Sequence, residues 1–248
     1  MKRTGCMSRC TFAAVLLMTA AGCATTFVYT PEKPVASDPA ALPLALKVAV
    51  RPFEDLRGNK VVDHFALALV PFVPYGSKAY DRPEGTGALP GFSLNPAEDF
   101  PRALISELRQ SRLFRDVVYD AGTAERAVDL VVSGRVTTTR FVRKTLTYGL
   151  SFFGMLPEIR ALTGLAGIPT DMYEYAVSFT VEMRRASDDV VVWSHAVEGS
   201  GRMFVGVYYG FGKGEEFAVL LSRGLHAAME SLANEIRTRD LSYWQGRP

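Results

Sequence analysis

The chain has 248 residues, 48% of them hydrophobic, with 28 basic and 26 acidic side chains and a formal net charge of +2. This composition is ordinary for a folded protein, and the length suits one domain with insertions or two small ones. Three basic residues lie in the first ten positions, and the rest of the chain carries 25 basic residues against 26 acidic ones. No basic stripe remains for a polyanion, so nucleic acid is not an expected partner.

The first 22 residues are typical of a bacterial signal peptide. Lys2, Arg3 and Arg9 precede an apolar run at residues 12–21. As a helix this run would measure roughly 15 Å, too short for a hydrocarbon core of about 30 Å. The tetrapeptide AAGC at 20–23 resembles the lipobox of bacterial lipoproteins, in which the chain is cut before a cysteine that then carries acyl chains.

The resemblance implies a signal peptide at 1–22 and lipidation of Cys23, with the membrane as a partner through that lipid. An ordinary secretory signal with a chance cysteine is the alternative. Ala24, rather than an aspartate, follows the cysteine and favours the cell outer membrane, with the domain facing the periplasm. Cys6 and Cys10 leave with the signal, so no disulfide and no thiol nucleophile is expected afterwards.

The segment 23–43 is predicted to be a lipidated, extended tether because it holds four prolines. A single domain is expected at 44–240. It begins with a predicted strand at 46–53 and a turn-rich exit at 54–58. A long loop-like insertion at 59–94 follows, with a strongly apolar stretch at 65–73.

A helix is predicted from residue 96 to about Ser111. Asn95 is the expected N-cap, Pro96 occupies the first helical position, and Glu98 is placed to complete a capping box. Phe100, Leu104 and Leu108 recur every four residues, as one buried stripe of a helix does.

The remaining elements are predicted strands at 116–119 and 128–136, a hairpin at 175–183 and 190–197, and a closing helix at 215–237. Gly224 is expected to permit a close approach of this last helix to the sheet. The apolar segment 145–170 interrupts the pattern as a second insertion. The fold class is therefore α+β: a two-layer sandwich of a mainly antiparallel sheet with both helices on one face. The simplest chain path places the insertions 59–94 and 145–170 at opposite ends of the sheet.

Three stretches carry a family resemblance: KVAVRPFEDLRG at 47–58, LRQSRLF at 108–114 and DLVVSGR at 129–135. Together with the hairpin they resemble the amino-terminal domain of TolB and related lipoproteins, including the curli-secretion channel lipoprotein. The resemblance covers residues 44–58, 95–143 and 172–237. It implies a non-enzymatic protein that forms rings or channels or docks on another envelope protein. The insertions depart from the family pattern and leave the subfamily open.

No catalytic site, metal site or cofactor is predicted. The histidines His64, His195 and His226 fall on three separate elements, and His226 with Glu230 lacks a third ligand nearby. Ser194 and His195 are neighbours on a strand and point to opposite faces. The glycine-rich segment 206–214 lacks the spacing of a phosphate-binding loop. The paired carboxylates Glu54 and Asp55 favour a structural turn over acid–base chemistry.

The insertion 145–170 supplies the predicted contact with membrane or partner, because large exposed apolar patches mark such contacts. The residues expected to lead that contact are Phe152, Phe153, Met155, Leu156 and Ile159. A helical hairpin packed over the open face of the sheet explains the same apolar residues equally well.

These features predict a non-enzymatic, lipid-anchored envelope protein. It would act as a scaffold or as an accessory subunit of an export or envelope-assembly machine. Its expected partners are copies of itself, as in an oligomeric ring, or another envelope protein. The alternatives are an activator of a cell-wall enzyme or a cell-wall-related enzyme itself.

Overall fold

The computed structural model describes residues 27, 29, 44–86, 89, 92–120, 128–150, 156–210 and 215–246. The fold is α+β, as predicted: one sheet and two long helices enclose a hydrophobic core. The described strands are β1 (Leu44–Val50), β2 (Glu54–Asp55), β3 (Val61–His64), β4 (Tyr75–Tyr80), β5 (Phe114–Tyr119), β6 (Leu130–Leu146), β7 (Asp171–Arg185) and β8 (Val191–Val205). The described helices are α1 (Pro96–Ser111), α2 (Pro157–Leu165), α3 (Glu215–Thr238) and α4 (Leu241–Gln245), with a 3-10 helix at Phe65–Leu69.

The long strand β6 organises the sheet. Along one side it pairs antiparallel with β7, which pairs antiparallel with β8. Along its other side it pairs in succession with β1 and β2, both parallel, and with β4, antiparallel. Strands β5 and β3 extend these branches beyond β1 and β4. The sheet is therefore mainly antiparallel, and its parallel pairs are β1 with β5 and the pairing of β1 and β2 with the first half of β6.

The helices α1 and α3 cover one face of the sheet. Alternate residues of β7, from Asp171 to Met183, are buried on that face. Phe100 of α1 packs edge-on against Phe179, with ring centroids 5.3 Å apart, and Phe217 of α3 does the same against Tyr175 at 5.1 Å. The intervening residues of β7 are only half-buried, so the opposite face of the sheet stays open.

The start of α1 follows the prediction in its residues but not in its hydrogen bonds. Asn95 is the N-cap residue and Pro96 begins the helix, yet the Asn95 side chain makes no capping bond. The carboxylate that reaches back to the Asn95 N–H, at 2.7 Å, belongs to Asp99 rather than Glu98. Glu98 instead pairs with Arg102 one turn further along the exposed face, at 2.8 Å.

The insertion 59–94 is not simply a long loop. It contains β3, the 3-10 helix and β4, and β4 pairs with the end of β6 from Phe141 to Leu146. The two insertions therefore meet, because Phe72 donates its backbone N–H to the carbonyl of Gly149 at 3.1 Å. Their predicted placement at opposite ends of the sheet was wrong: pairing of β4 with the last six residues of β6 carries both to the same end.

Packing extends beyond the predicted domain limits at both termini. Phe27 and Tyr29 pack against the core, the backbone N–H of Phe27 donates to the carbonyl of Ser93 at 3.1 Å, and the Tyr29 hydroxyl is hydrogen-bonded to Glu107. At the other terminus Trp244 is fully buried. The signal peptide, Cys23 and most of the predicted tether lie outside the described residues.

Candidate docking surface

The residues considered for catalysis do not come together. His64 ends β3 and is exposed, His195 lies on β8 and His226 on α3. The side of α3 that contains Gly224 and Ser231 packs against β8, on the side chains of Val197 and Trp193 that flank His195. His226 lies about half a turn around α3 from that side, away from His195. Among the described residues, no group of three or more potential ligands could hold a metal ion.

His195 behaves as a packed side chain. Its ring stacks on that of Trp193, with centroids 6.0 Å apart, and partial burial lowers its pKa below the ordinary value. Ser194 lies opposite Glu182 of β7, and His195 lies opposite the buried Val181. The two neighbours therefore point to opposite faces of the sheet, as the sequence predicted, and cannot act as nucleophile and base.

Asp55, the second carboxylate of the predicted turn, belongs to an ion cluster around a buried arginine. The Arg57 guanidinium donates to both carboxylate oxygens of Asp55 at 2.9 Å, to the Thr139 hydroxyl at 2.7 Å and to Glu84. These hydrogen bonds from Arg57 hold the pKa of Asp55 below its usual range. Asp55 is thus committed to fixing the turn between β2 and the β3–β4 ribbon.

The open face of the sheet carries a groove of about 650 Å³ with both polar and apolar lining residues. Its charged lining residues are Arg140 and Lys144 of β6, Glu174 of β7 and Arg202 of β8. Lys144 and Glu174 form a salt bridge, and Glu174 lies opposite Arg202 in the strand register. The helix α2 does not cover this groove. It packs at the end of the sheet where β8 stops, and there Gly164 faces Val207.

An apolar surface lies at the end of the sheet where β6 stops and β4 and β7 start. It comprises three segments: the 3-10 helix with the turn after it, the turn at 148–150, and α2 with the loop after β8. We call this surface the apolar end; its exposed side chains are Leu67, Leu69, Phe72, Tyr148, Leu150, Leu162, Leu165, Ile168, Val207 and Tyr208.

Hydrogen bonds join the three segments into one surface. Besides the bond from Phe72 to Gly149, the Tyr148 hydroxyl donates to the carbonyl of Pro169 at 2.6 Å, and the Tyr208 hydroxyl to that of Leu165 at 3.4 Å. Residues far apart in sequence are thus held as neighbours, and their exposed apolar atoms form a continuous patch rather than scattered singles.

Phe72 is the most exposed residue of the apolar end. Its side chain is 91% exposed, and its backbone adopts a left-handed conformation with φ of 66°. A bulky residue in this conformation is strained, and such strain concentrates at sites of function. Tyr148 nearby has a positive φ of 55° as well. The fold therefore holds two aromatic residues outward at a cost in backbone energy.

The predicted contact residues are only partly described. Phe152, Phe153 and Met155 lie outside the described residues. Leu156 and Ile159 are half-buried, and the large hydrophobic side chains that α2 exposes are Leu162, at 67%, and Leu165, at 60%. The three-residue spacing of these leucines was a sequence signal for an apolar helix face, since it puts both side chains on one side of a helix. None of the described helices is long and apolar enough to cross a membrane.

No protein-family model and no curated protein matches the chain. Three solved structures show limited similarity. A protein of the DUF330 family from Xanthomonas campestris has 12% identity and a TM-score of 0.44, covering 85% of this chain and 93% of its own. The PelC dodecamer from Paraburkholderia phytofirmans has 17% identity and a TM-score of 0.36, covering 76% and 89%. Rare lipoprotein B from Shewanella oneidensis has 15% identity and a TM-score of 0.26, covering 57% and 86%.

Proposed function

We propose that this chain is a lipid-anchored, non-enzymatic protein of the bacterial outer membrane. It acts there by binding, as a scaffold or an accessory subunit of an export or envelope-assembly machine. The observation that carries the proposal is the lipobox-like sequence ending at Cys23, followed only four residues later by Phe27, which is already packed against the core. A domain joined to its lipid by so short a link stays at the membrane surface.

The dispersal of the catalytic candidates supports a binding role. Glu54 is exposed beside Arg135, Asp55 is held by Arg57, and His195 and His226 lie on different sides of α3. Acid–base or nucleophilic chemistry needs two such groups within hydrogen-bond reach of one substrate. Surfaces that can bind a partner are by contrast extensive in the described part of the chain: the apolar end, the open face and a strand edge.

The outer edge of β8 supports self-association as the form this binding takes. This strand is 15 residues long, and within the described residues its ladder bonds go to β7 alone. An unpaired edge offers a row of backbone donors and acceptors to a second chain. Pairing of β8 with an opposite margin of the sheet, β5 or β3, would be head to tail, the arrangement that generates rings, whereas pairing of β8 with β8 would give a two-fold dimer.

Metabolic labelling with a radioactive fatty acid tests the anchor. The wild-type chain is expected to incorporate label and to fractionate with the outer membrane, and Cys23→Ser to lose the label and leave the outer-membrane fraction. An unlabelled, soluble wild-type chain would refute the proposal.

The native mass of the lipidated protein in mild detergent then tests assembly. A discrete mass of many subunits supports a ring. Loss of that mass after substitution by proline, at a β8 residue whose backbone N–H points away from β7, would locate the interface at this edge, because proline removes the donor. The matched control is threonine at the same position, which retains the backbone N–H. A monomer would exclude the ring and leave the accessory-subunit form of the proposal.

A further inference from the structure

The position of Phe27 relative to the apolar end, measured along the strands, follows from a chain of contacts. Phe27 is bonded to Ser93, next to Phe92, whose ring stacks on Phe217 of α3 with centroids 5.8 Å apart. Phe217 in turn packs on Tyr175, which pairs with Phe141 of β6. Phe27 therefore sits near the level of Phe141. From there β6 runs five more residues to the apolar end, about 17 Å at the rise of a strand.

The contact of Tyr29 shows in which direction the chain runs after Phe27. The Tyr29 hydroxyl meets Glu107, which lies eleven residues into α1 from Pro96, or about 16 Å further from the apolar end. The chain therefore enters the fold on the side of the apolar end and descends along α1. The four residues from Cys23 to Phe27 can span at most roughly 14 Å. This reach is close to the height of the apolar end above Phe27.

We infer that the apolar end is a membrane-docking surface, which rests on the leaflet that holds the acyl chains of Cys23. The inference rests on the proposed lipid anchor. A link of four residues keeps this end of the domain next to the bilayer. Its exposed side chains include leucine, phenylalanine and tyrosine, which are residue types that enter the interface between membrane and water. The anchor thus fixes orientation as well as location.

The occupant follows from the anchor rather than from the apolar character alone. A second copy would also bury leucines, but each copy would carry its own lipid within reach of the same end and would have to turn that end away from the membrane. Charge adds nothing to this choice, because near the apolar end Arg160 of α2 pairs with Asp171 and Lys144 of β6 pairs with Glu174.

Fluorophore labelling at single cysteines tests the docking surface in the full lipidated chain. The chain offers no other free thiol after cleavage, since Cys23 is the one acylated, so a label attaches only where a cysteine is introduced. The reporters are Leu162→Cys and Leu165→Cys at the apolar end. The matched control is Leu241→Cys, also an exposed leucine, at 43%, at the other end of the fold beyond the C-terminus of α3.

Each labelled protein is placed at one chain per nanodisc of phosphatidylethanolamine and phosphatidylglycerol, so that no second copy is available. We expect the emission of both α2 labels to shift to the blue and to be quenched several-fold by nitroxide-bearing lipids. The label on Leu241→Cys should remain water-exposed and unquenched. Intact mass of the same sample reports whether Cys23 is acylated.

The outcomes separate the two hypotheses. If Cys23 is acylated but the α2 labels are as exposed to water as the control label, membrane docking is overturned and the proposed anchor stands. Labels that become shielded only in vesicles holding many chains overturn it in favour of a second copy. A chain whose Cys23 carries no lipid defeats the proposed anchor, and the docking surface with it.

Discussion

Gly224 of α3 and Val197 of β8 mark the closest approach of the closing helix to the sheet: a Cβ on Gly224 would lie 2.2 Å from a methyl carbon of Val197. Real Cβ atoms essentially never occur at such distances, so with any larger residue either the Val197 side chain or the helix must shift. The glycine in mid-helix, which weakens the helix itself, is explained by this contact. The sequence predicted this role from the position of Gly224 beside the buried apolar stripe of the closing helix.

Gly224→Ala is therefore expected to destabilise the protein. Overpacking costs about 1–3 kcal/mol, and the better helix propensity of alanine returns up to about 1 kcal/mol. From the middle of the overpacking range, we expect a net loss of about 1 kcal/mol in the free energy of unfolding, measured by urea denaturation. Gly199→Ala is the matched control, because its nearest side-chain atom would be at an ordinary 3.4 Å. Equal stability of the Gly224 variant and wild type would show that Val197 or the helix shifts without cost.

Replacing the buried Arg57 tests the ion cluster. Its side chain is 3% exposed, and Arg57→Met would leave the carboxylates of Asp55 and Glu84 without their shared partner. We expect a loss of about 3 kcal/mol, the lower end for breaking a buried pair, because both carboxylates remain about one-fifth exposed. Arg102→Met, which removes an exposed pair on α1, should cost under about 0.5 kcal/mol in the same measurement.

The lowered pKa of Asp55 predicts a specific acid dependence. Its folded-state pKa lies below the unfolded value of 3.8, chiefly because Arg57 donates to the carboxylate. The resulting stability is fully present above the unfolded pKa and is lost as the pH falls through the folded pKa. Asp55→Asn should therefore flatten the acid limb of unfolding free energy against pH. In the Arg57→Met background the same substitution should change that limb much less; an identical effect in both backgrounds would contradict the assignment of the shift to Arg57.

The parts of the fold that the sequence could predict are those encoded locally. Alternation from Tyr175 to Met183 predicted a half-buried strand, and the four-residue period from Phe100 predicted α1. Strand β4, YGSKAY, has no clear alternation, and its place beside the end of β6 depends on a partner more than sixty residues away. Both insertions were thus recognised as apolar, but their meeting at one end is a tertiary property. Leu162 and Leu165 of α2 were likewise not among the predicted contact residues, because the adjacent aromatic residues Phe152 and Phe153 favoured the segment before α2.

The strained backbone at Phe72 predicts that the apolar end is held at a cost in stability. Asparagine adopts the left-handed conformation more readily than phenylalanine, and the 91% exposed ring contributes little burial. We expect Phe72→Asn to raise the free energy of unfolding by about 0.5–1 kcal/mol, since strain of about 1–2 kcal/mol is partly relieved. Leu69→Asn, at an exposed position without positive φ, should not stabilise. If docking uses this ring, the stabilised Phe72 variant should also show weaker quenching of the α2 labels.

Trp244 tests how far the folded unit extends, because the sequence placed its end at residue 240. The indole is fully buried and packs edge-on against Tyr243, whose hydroxyl donates to the carbonyl of Val192 in β8. Loss of a buried tryptophan side chain costs about 3–5 kcal/mol, so Trp244→Ala should shift the urea midpoint well below that of wild type. Leu241→Ala, a 43% exposed position on the same short helix, should stay within about 0.5 kcal/mol. A Trp244 variant as stable as the Leu241 variant would mean that α4 is an appendage, and that the core is complete without it.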